Sequence, residues 1–139
     1  MNDKVFLDTN ILVYGYSNSD REKQFVARNI IMGNNSFIST QVLQELTNTI
    51  TKKFKLRYSD AIDAISESCH NNNLYINISS TLIKACKIAE EYKYSYYDSL
   101  IISAALLCDC TQLYSEDMKN NQIINGVLKI SNPFKNIYN

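Results

Sequence analysis

The apolar positions of the chain fall into short blocks that alternate between two spacings. Val5-Phe6-Leu7 is an unbroken apolar run with β-branched and aromatic character, which predicts a buried strand ending at Asp8. The apolar segment from Ile11 to Tyr16 reads as a short helix packed on the sheet. Ser19-Asp20-Arg21-Glu22 forms a capping box, with serine at the N-cap and glutamate at N3. It opens a helix carrying Phe25, Val26 and Ile30, which stops at Gly33. Ser36-Phe37-Ile38-Ser39 predicts a second strand. Val42, Leu46, Ile50 and Phe54 then recur at every fourth position, with Leu43 widening the stripe, and predict the clearest helix of the chain.

The second half repeats the alternation. Ser59 is placed to cap a helix that buries Ile62, Ile65 and Cys69. Leu74–Ile78 alternates as a third strand, and Ser80 is placed to cap a helix with Leu82, Ala85, Ala89 and Tyr92 along one face. Leu100–Leu107 is hydrophobic almost all round, which predicts a central buried helix opened by Asp98. Thr111–Ser115 predicts a fourth strand, with Glu116 and Asp117 at its end. Asn125-Gly126 signals a turn before a last strand, and Pro133 ends regular structure. Alternating strands and helices indicate an α/β fold with a mostly parallel sheet and helices on both faces. With no repeat or linker, residues 1–139 read as one domain.

Composition narrows the function classes. The 139 residues, 45% hydrophobic and 20% charged, suit a soluble globular chain with a real core. Zero net charge speaks against a wholly basic nucleic-acid binder but leaves room for a local patch. Lys52, Lys53, Lys55 and Arg57 form such a run, either to meet RNA phosphates or as a solvated helix end. Tyr92, Tyr94, Tyr96 and Tyr97 cluster before Asp98, for packing, for an interface or for stacking on bases. The four cysteines lack zinc-site spacing, and no leader or membrane span is visible. These features imply a cytoplasmic protein with reduced thiols, no membrane association, and Cys69, Cys86 and Cys108 packed in the core.

The candidate chemistry lies in the acids. Asp8 ends the first predicted strand, Glu45 lies just after the second, Asp98 opens the central helix and Asp117 follows the fourth strand. In a parallel sheet these positions share one edge. Each has an ordinary role open to it: a turn residue for Asp8 and Asp117, a solvated helix residue for Glu45, an N-cap for Asp98. Glu116 stands beside Asp117 as an equally placed neighbour. Gathered together, however, these carboxylates cannot all stay ionised without a counter-ion. A divalent cation with oxygen ligands, Mg²⁺ or Mn²⁺, is the natural partner, and such ions activate water for attack on phosphate. Phosphatases with an aspartate nucleophile at the first strand want a second aspartate two residues on, where this chain has Asn10.

The ordered set Leu7-Asp8-Thr9-Asn10, Ser39–Glu45, Tyr97-Asp98-Ser99-Leu100-Ile101 and Leu113–Met118 resembles the PIN domain. It is most similar to the small VapC-like toxins of type II toxin–antitoxin pairs, and the resemblance covers nearly the whole chain. It implies a three-layer α/β/α sandwich with a central, mostly parallel five-stranded sheet. It also implies a Mg²⁺- or Mn²⁺-dependent endoribonuclease with Asp8, Glu45, Asp98 and Asp117 as catalytic metal ligands. Thr9, Asn10, Ser115 and Glu116 would support them, with Asp117 rather than Glu116 in the fourth ligand position. Tyr97 replaces the tryptophan common before the third acid. The implied partners are RNA (transfer RNA by analogy), a cognate antitoxin and a second copy of the chain. The alternative is a non-catalytic module of the same fold that binds RNA or a partner.

Overall fold

The computed structural model describes residues 3–137. Strand β1 (Lys4–Leu7) leads through α1 (Thr9–Tyr16) and α2 (Arg21–Gly33) to β2 (Asn35–Ser39). Helix α3 (Thr40–Asn48) continues as a π-helical turn (Thr49–Lys53), followed by α4 (Tyr58–Asn71) and β3 (Asn73–Tyr75). Helices α5 (Ser79–Tyr92) and α6 (Tyr96–Leu107) lead to β4 (Gln112–Tyr114), β5 (Ile123–Ile124) and β6 (Leu128–Ser131).

The sheet has six strands in the order β3-β2-β1-β4-β6-β5. Its β3, β2, β1, β4 and β6 are parallel and β5 pairs antiparallel with β6, so the expected five-stranded sheet gains a sixth, short edge strand. The cause is the Asn125-Gly126 turn. Both residues take positive φ (52° and 71°), as a mirror-image turn requires, and Val127 N–H closes it on the Ile124 carbonyl at 3.0 Å. Ile123–Ile124 is thereby folded back onto β6.

The chain moves from β1 to β2 to β3 in one direction, then crosses back to place β4 on the other side of β1. Right-handed crossovers in opposite directions put α1–α4 on one face and α5–α6 on the other. The packing agrees: α1 lies against α2 and α3, α3 against α4, and α5 against α6. The reversal also opens a crevice between the carboxyl ends of β1 and β4, where open α/β sheets bind ligands.

The core follows the predicted stripes in α3 and α6. Val42, Leu46 and Ile50 are buried, as are Leu100, Ile101, Ile102, Ala104 and Ala105. Elsewhere the faces differ. Helix α4 buries Ala61, Ala64 and Ser68, while Ile62 is 62% exposed and Cys69 is exposed. Helix α5 buries Thr81, Ala85 and Ile88 and leaves Leu82 and Cys86 exposed. In each helix the buried face is rotated by one position from the expected one, which turns Ile62 and Leu82 outward. Of the cysteines, Cys108 and Cys110 are the buried ones.

Caps shift in the same way. Asp20, not Ser19, accepts from the Lys23 N–H (3.1 Å) to start α2. Asp60 accepts from the Arg57 N–H (3.0 Å), and Thr81 from the Ile78 N–H (3.1 Å), so Ser59 and Ser80 are not the caps. Among the described residues, no helix is long and apolar enough to cross a membrane.

The exposure pattern sets opposite expectations for two apolar side chains. Leu113→Ala in β4, at a site 0% exposed, should cost about 2–5 kcal/mol in urea unfolding. Ile62→Ala should change stability by no more than about 0.5 kcal/mol.

Candidate functional site

Asp8 occupies the junction of β1 and α1. It is the N-cap of α1, and its carboxylate accepts from the Thr9 N–H at 2.7 Å and from the Ser115 hydroxyl at 2.7 Å. Both oxygens are therefore engaged, by the start of its own helix and by the residue that follows β4. Only 7% of the residue is exposed. Burial pushes its carboxyl up to about 6 from 3.8; the bonds from Ser115 and Thr9 oppose the rise, and the charges of Glu45 and Asp98 add to it.

The residues around Asp8 extend the network. Thr9 Oγ1 donates to Glu45 Oε1 at 2.6 Å, joining the start of α1 to α3. Asn10 Nδ2 donates to Asp117 Oδ2 at 3.1 Å, and Asn10 Oδ1 accepts from the Glu116 N–H at 3.3 Å. Ser115 Oγ accepts from the Asp117 N–H at 3.2 Å while its own proton goes to Asp8. Thr9, Asn10 and Ser115 thus each hold one of the expected acids. Asp98 lies in the first turn of α6, whose N-cap Ser95 accepts from the Asp98 N–H at 3.2 Å. Its carboxyl is raised by burial and then by the charge of Asp117, with Ser95 opposing.

Asp8, Glu45, Asp98 and Asp117 line one cleft of about 480 Å³, together with Thr9 and Asn10. All its charged oxygens are carboxylates, a donor set suited to a hard cation such as Mg²⁺ or Mn²⁺. Among the described residues, no three acidic, histidine or cysteine side chains converge into a ready-made cage.

Glu116 is engaged differently. It accepts from Lys23 Nζ at 2.5 Å and from the Tyr14 hydroxyl at 2.7 Å. Lys23 also lies over the Tyr14 ring, 4.6 Å from its centroid, and the Tyr14 and Phe134 rings meet edge to face at 5.0 Å. The pairing holds the Lys23 ammonium well above its usual range. Glu116 thus carries its own counter-charge, whereas the other acids of the cleft have no ion-pair partner among the described residues. Sequence reading missed Lys23, because nothing along the chain links it to an acid 93 positions away. Tyr92 and Tyr94 of the aromatic cluster are bonded to Asn125 and Gln122, while Tyr96 and Tyr97 pack edge to face and remain exposed.

A parallel sheet with acids from separate stretches gathered in a crevice at its carboxyl edge defines an α/β domain that works at its strand ends. The chain belongs to the PIN domain family, whose model matches residues 5–123. No curated protein matches the sequence. Solved structures share the fold at low identity. A toxin–antitoxin complex from Klebsiella pneumoniae is similar at 20% identity over 93% of this chain and 97% of that one, with a TM-score of 0.69. VapBC2 from Rickettsia felis, bound to a promoter DNA fragment, is similar at 18% identity over 92% and 97%, also at 0.69. Mycobacterium tuberculosis VapC20, a sarcin–ricin loop cleaving toxin, is similar at 12% identity over 78% and 86%, at 0.66.

The raised carboxyl of Asp8 has a direct consequence for stability. The folded state holds the Asp8 proton more tightly than the unfolded chain, so protonation favours folding. Without metal, this contribution is present at pH 4 and is lost as pH rises through about 6. The gap between 3.8 and about 6 corresponds to about 3 kcal/mol. Asp8→Asn should therefore raise metal-free stability at pH 7.5 by about 2–3 kcal/mol in urea unfolding and flatten its pH dependence between 4 and 6. For the ion pair, Lys23→Met should cost about 1–3 kcal/mol by stranding Glu116, and adding Glu116→Gln should recover most of the loss in a double-mutant cycle.

Proposed function

We propose that this chain is a Mg²⁺- or Mn²⁺-dependent endoribonuclease and the toxin of a toxin–antitoxin pair. The observation that carries the reading is that Asp8, Glu45, Asp98 and Asp117, from four separate stretches of the chain, line one cleft, with burial and the neighbouring acids lifting the Asp8 carboxyl to about 6. In this role the four carboxylates are metal ligands. A bound divalent ion supplies the positive charge that lowers the pKa of water and stabilises a phosphodiester under attack.

The chain's own residues do the positioning. Thr9 N–H and Ser115 Oγ hold both oxygens of Asp8, so its orientation is fixed before any ligand arrives. Thr9 Oγ1 fixes Glu45, and Asn10 Nδ2 fixes Asp117. The α6 N-terminus holds Asp98 where the helix dipole favours a carboxylate. Pinned ligands lose less conformational freedom on binding, which is how supporting partners raise metal affinity. Lys23 keeps Glu116 occupied and leaves Asp117 as the acid of that pair that faces the ligand.

The substrate is a folded RNA, transfer RNA being the class by analogy. The partners are a cognate antitoxin covering the cleft and a second copy of the chain. Similar structures, which include a toxin–antitoxin complex and a toxin that cleaves the sarcin–ricin loop, support this reading. The domain spans residues 1–139 and acts in the cytoplasm.

Purified protein should cleave RNA in Mg²⁺ or Mn²⁺ and stop on addition of EDTA. Asp8→Asn and Asp98→Asn should each lower kcat by about 10²–10³-fold, on the scale of losing one electrostatic contact in a transition state. Thr9→Val and Asn10→Ala should weaken Mn²⁺ binding by about 10–100-fold in calorimetry. Cleavage that survives EDTA or Asp98→Asn would contradict the proposal. An intact fold that binds RNA but neither binds Mn²⁺ nor cleaves would instead establish a non-catalytic module.

A further inference from the structure

The basic run after α3 is not a uniform solvated end. Of Lys52, Lys53, Lys55 and Arg57, one residue enters the cleft: among the described residues, Lys53 is the only cation whose side chain lines it. The backbone explains why. In an α-helix, residues four apart drift around the axis by about 40° at each step. Continued α-helical winding from Glu45 through Thr49 would therefore carry residue 53 away from the cleft. Instead the helix widens at Thr49–Lys53, where the Phe54 N–H closes on the Thr49 carbonyl at 3.0 Å, an i→i+5 bond. The wider turn takes up an extra residue and cancels the drift, so Glu45, Thr49 and Lys53 all face the same space. Lys55, at φ 58°, then ends the helical path. Inserted π turns are uncommon and concentrate at functional sites.

Lys53 has no hydrogen-bond or ion-pair partner among the described residues, in contrast to Lys23, which is committed to Glu116. We propose that Lys53 is a substrate-binding residue whose ammonium contacts an RNA phosphate beside the carboxylate cluster. This rests on the ribonuclease reading. A polyanion entering a cleft lined by five acids meets repulsion at every carboxylate the cation does not cover. A lysine on the Glu45 wall offsets that repulsion for the phosphate alone. The other candidate role, a built-in counter-ion for the acids, makes the opposite prediction for metal: removing the lysine would then strengthen cation binding.

The test compares the wild type, Lys53→Gln and Lys53→Arg in two measurements. The first is cleavage of unfractionated transfer RNA in Mg²⁺ at several salt concentrations, and the second is Mn²⁺ titration calorimetry. Lys53→Gln should raise KM about 3–10-fold with kcat within about twofold of wild type. The slope of log kcat/KM against log salt should become shallower by about one, the signature of a lost phosphate contact. Lys53→Arg should restore both, and Mn²⁺ affinity should be the same in all three proteins. An unchanged KM and salt slope in Lys53→Gln, or an effect confined to tighter Mn²⁺ binding, would overturn the proposal. Failure of the wild type itself to cleave any RNA would overturn the ribonuclease reading on which it rests, and is seen before any variant is compared.

Discussion

A carboxylate at the end of a buried central strand is costly to ionise, and the site is built around that cost at Asp8. Its two oxygens are bonded to Thr9 N–H and Ser115 Oγ, yet its carboxyl still lies near 6. Hydrogen bonds alone do not compensate for the burial and the neighbouring Glu45 and Asp98 charges. The same two bonds tie the end of β1 to α1 and to the residue after β4. The partners then reach outward, Thr9 to Glu45, Asn10 and Ser115 to Asp117. The site is therefore held by the sheet's order: β1 sits between β2 and β4, and the reversal of winding there leaves the crevice open.

Acids beside this crevice have two fates. Glu116 is paired with Lys23, bonded by Tyr14 and backed by Phe134, so its charge is spent within the protein. Asp98 and Asp8 have no such partner among the described residues and are pushed up instead. That asymmetry separates an acid paired within the protein from acids raised by burial with no ion pair among the described residues. It also gives a physical ground for preferring Asp117 to Glu116 that their adjacency in the chain cannot supply.

What was readable in the sequence follows from how local each signal is. The stripe Val42-Leu46-Ile50 and the all-round apolar α6 depend on period alone, and both are buried as expected. The strand-end positions of Asp8 and Asp117 follow from alternation of elements, and their meeting follows from parallel topology. Helices α4 and α5 differ in face: α4 buries Ala61, Ala64 and Ser68 rather than Ile62 and Cys69, and α5 buries the expected Ala85 but with Thr81 and Ile88 rather than Leu82, because neighbouring elements and not period alone choose the face. The caps misled by a residue or two because Ser19, Asp20 and their like are interchangeable until a donor is in place. The Lys23–Glu116 pair and the π turn were illegible for a stronger reason. One joins distant segments, and the other is a backbone adjustment with no residue signature.

The central claim is the proposal that Asp8 belongs to a shared acidic site that binds a divalent cation. Its most direct test is an NMR titration of the Asp8 side-chain carboxyl, with and without saturating Mg²⁺. The account predicts a midpoint near 6 in the metal-free protein, falling well below the usual aspartate value of about 3.8 when Mg²⁺ is present. A midpoint near 4 that Mg²⁺ leaves in place would contradict it.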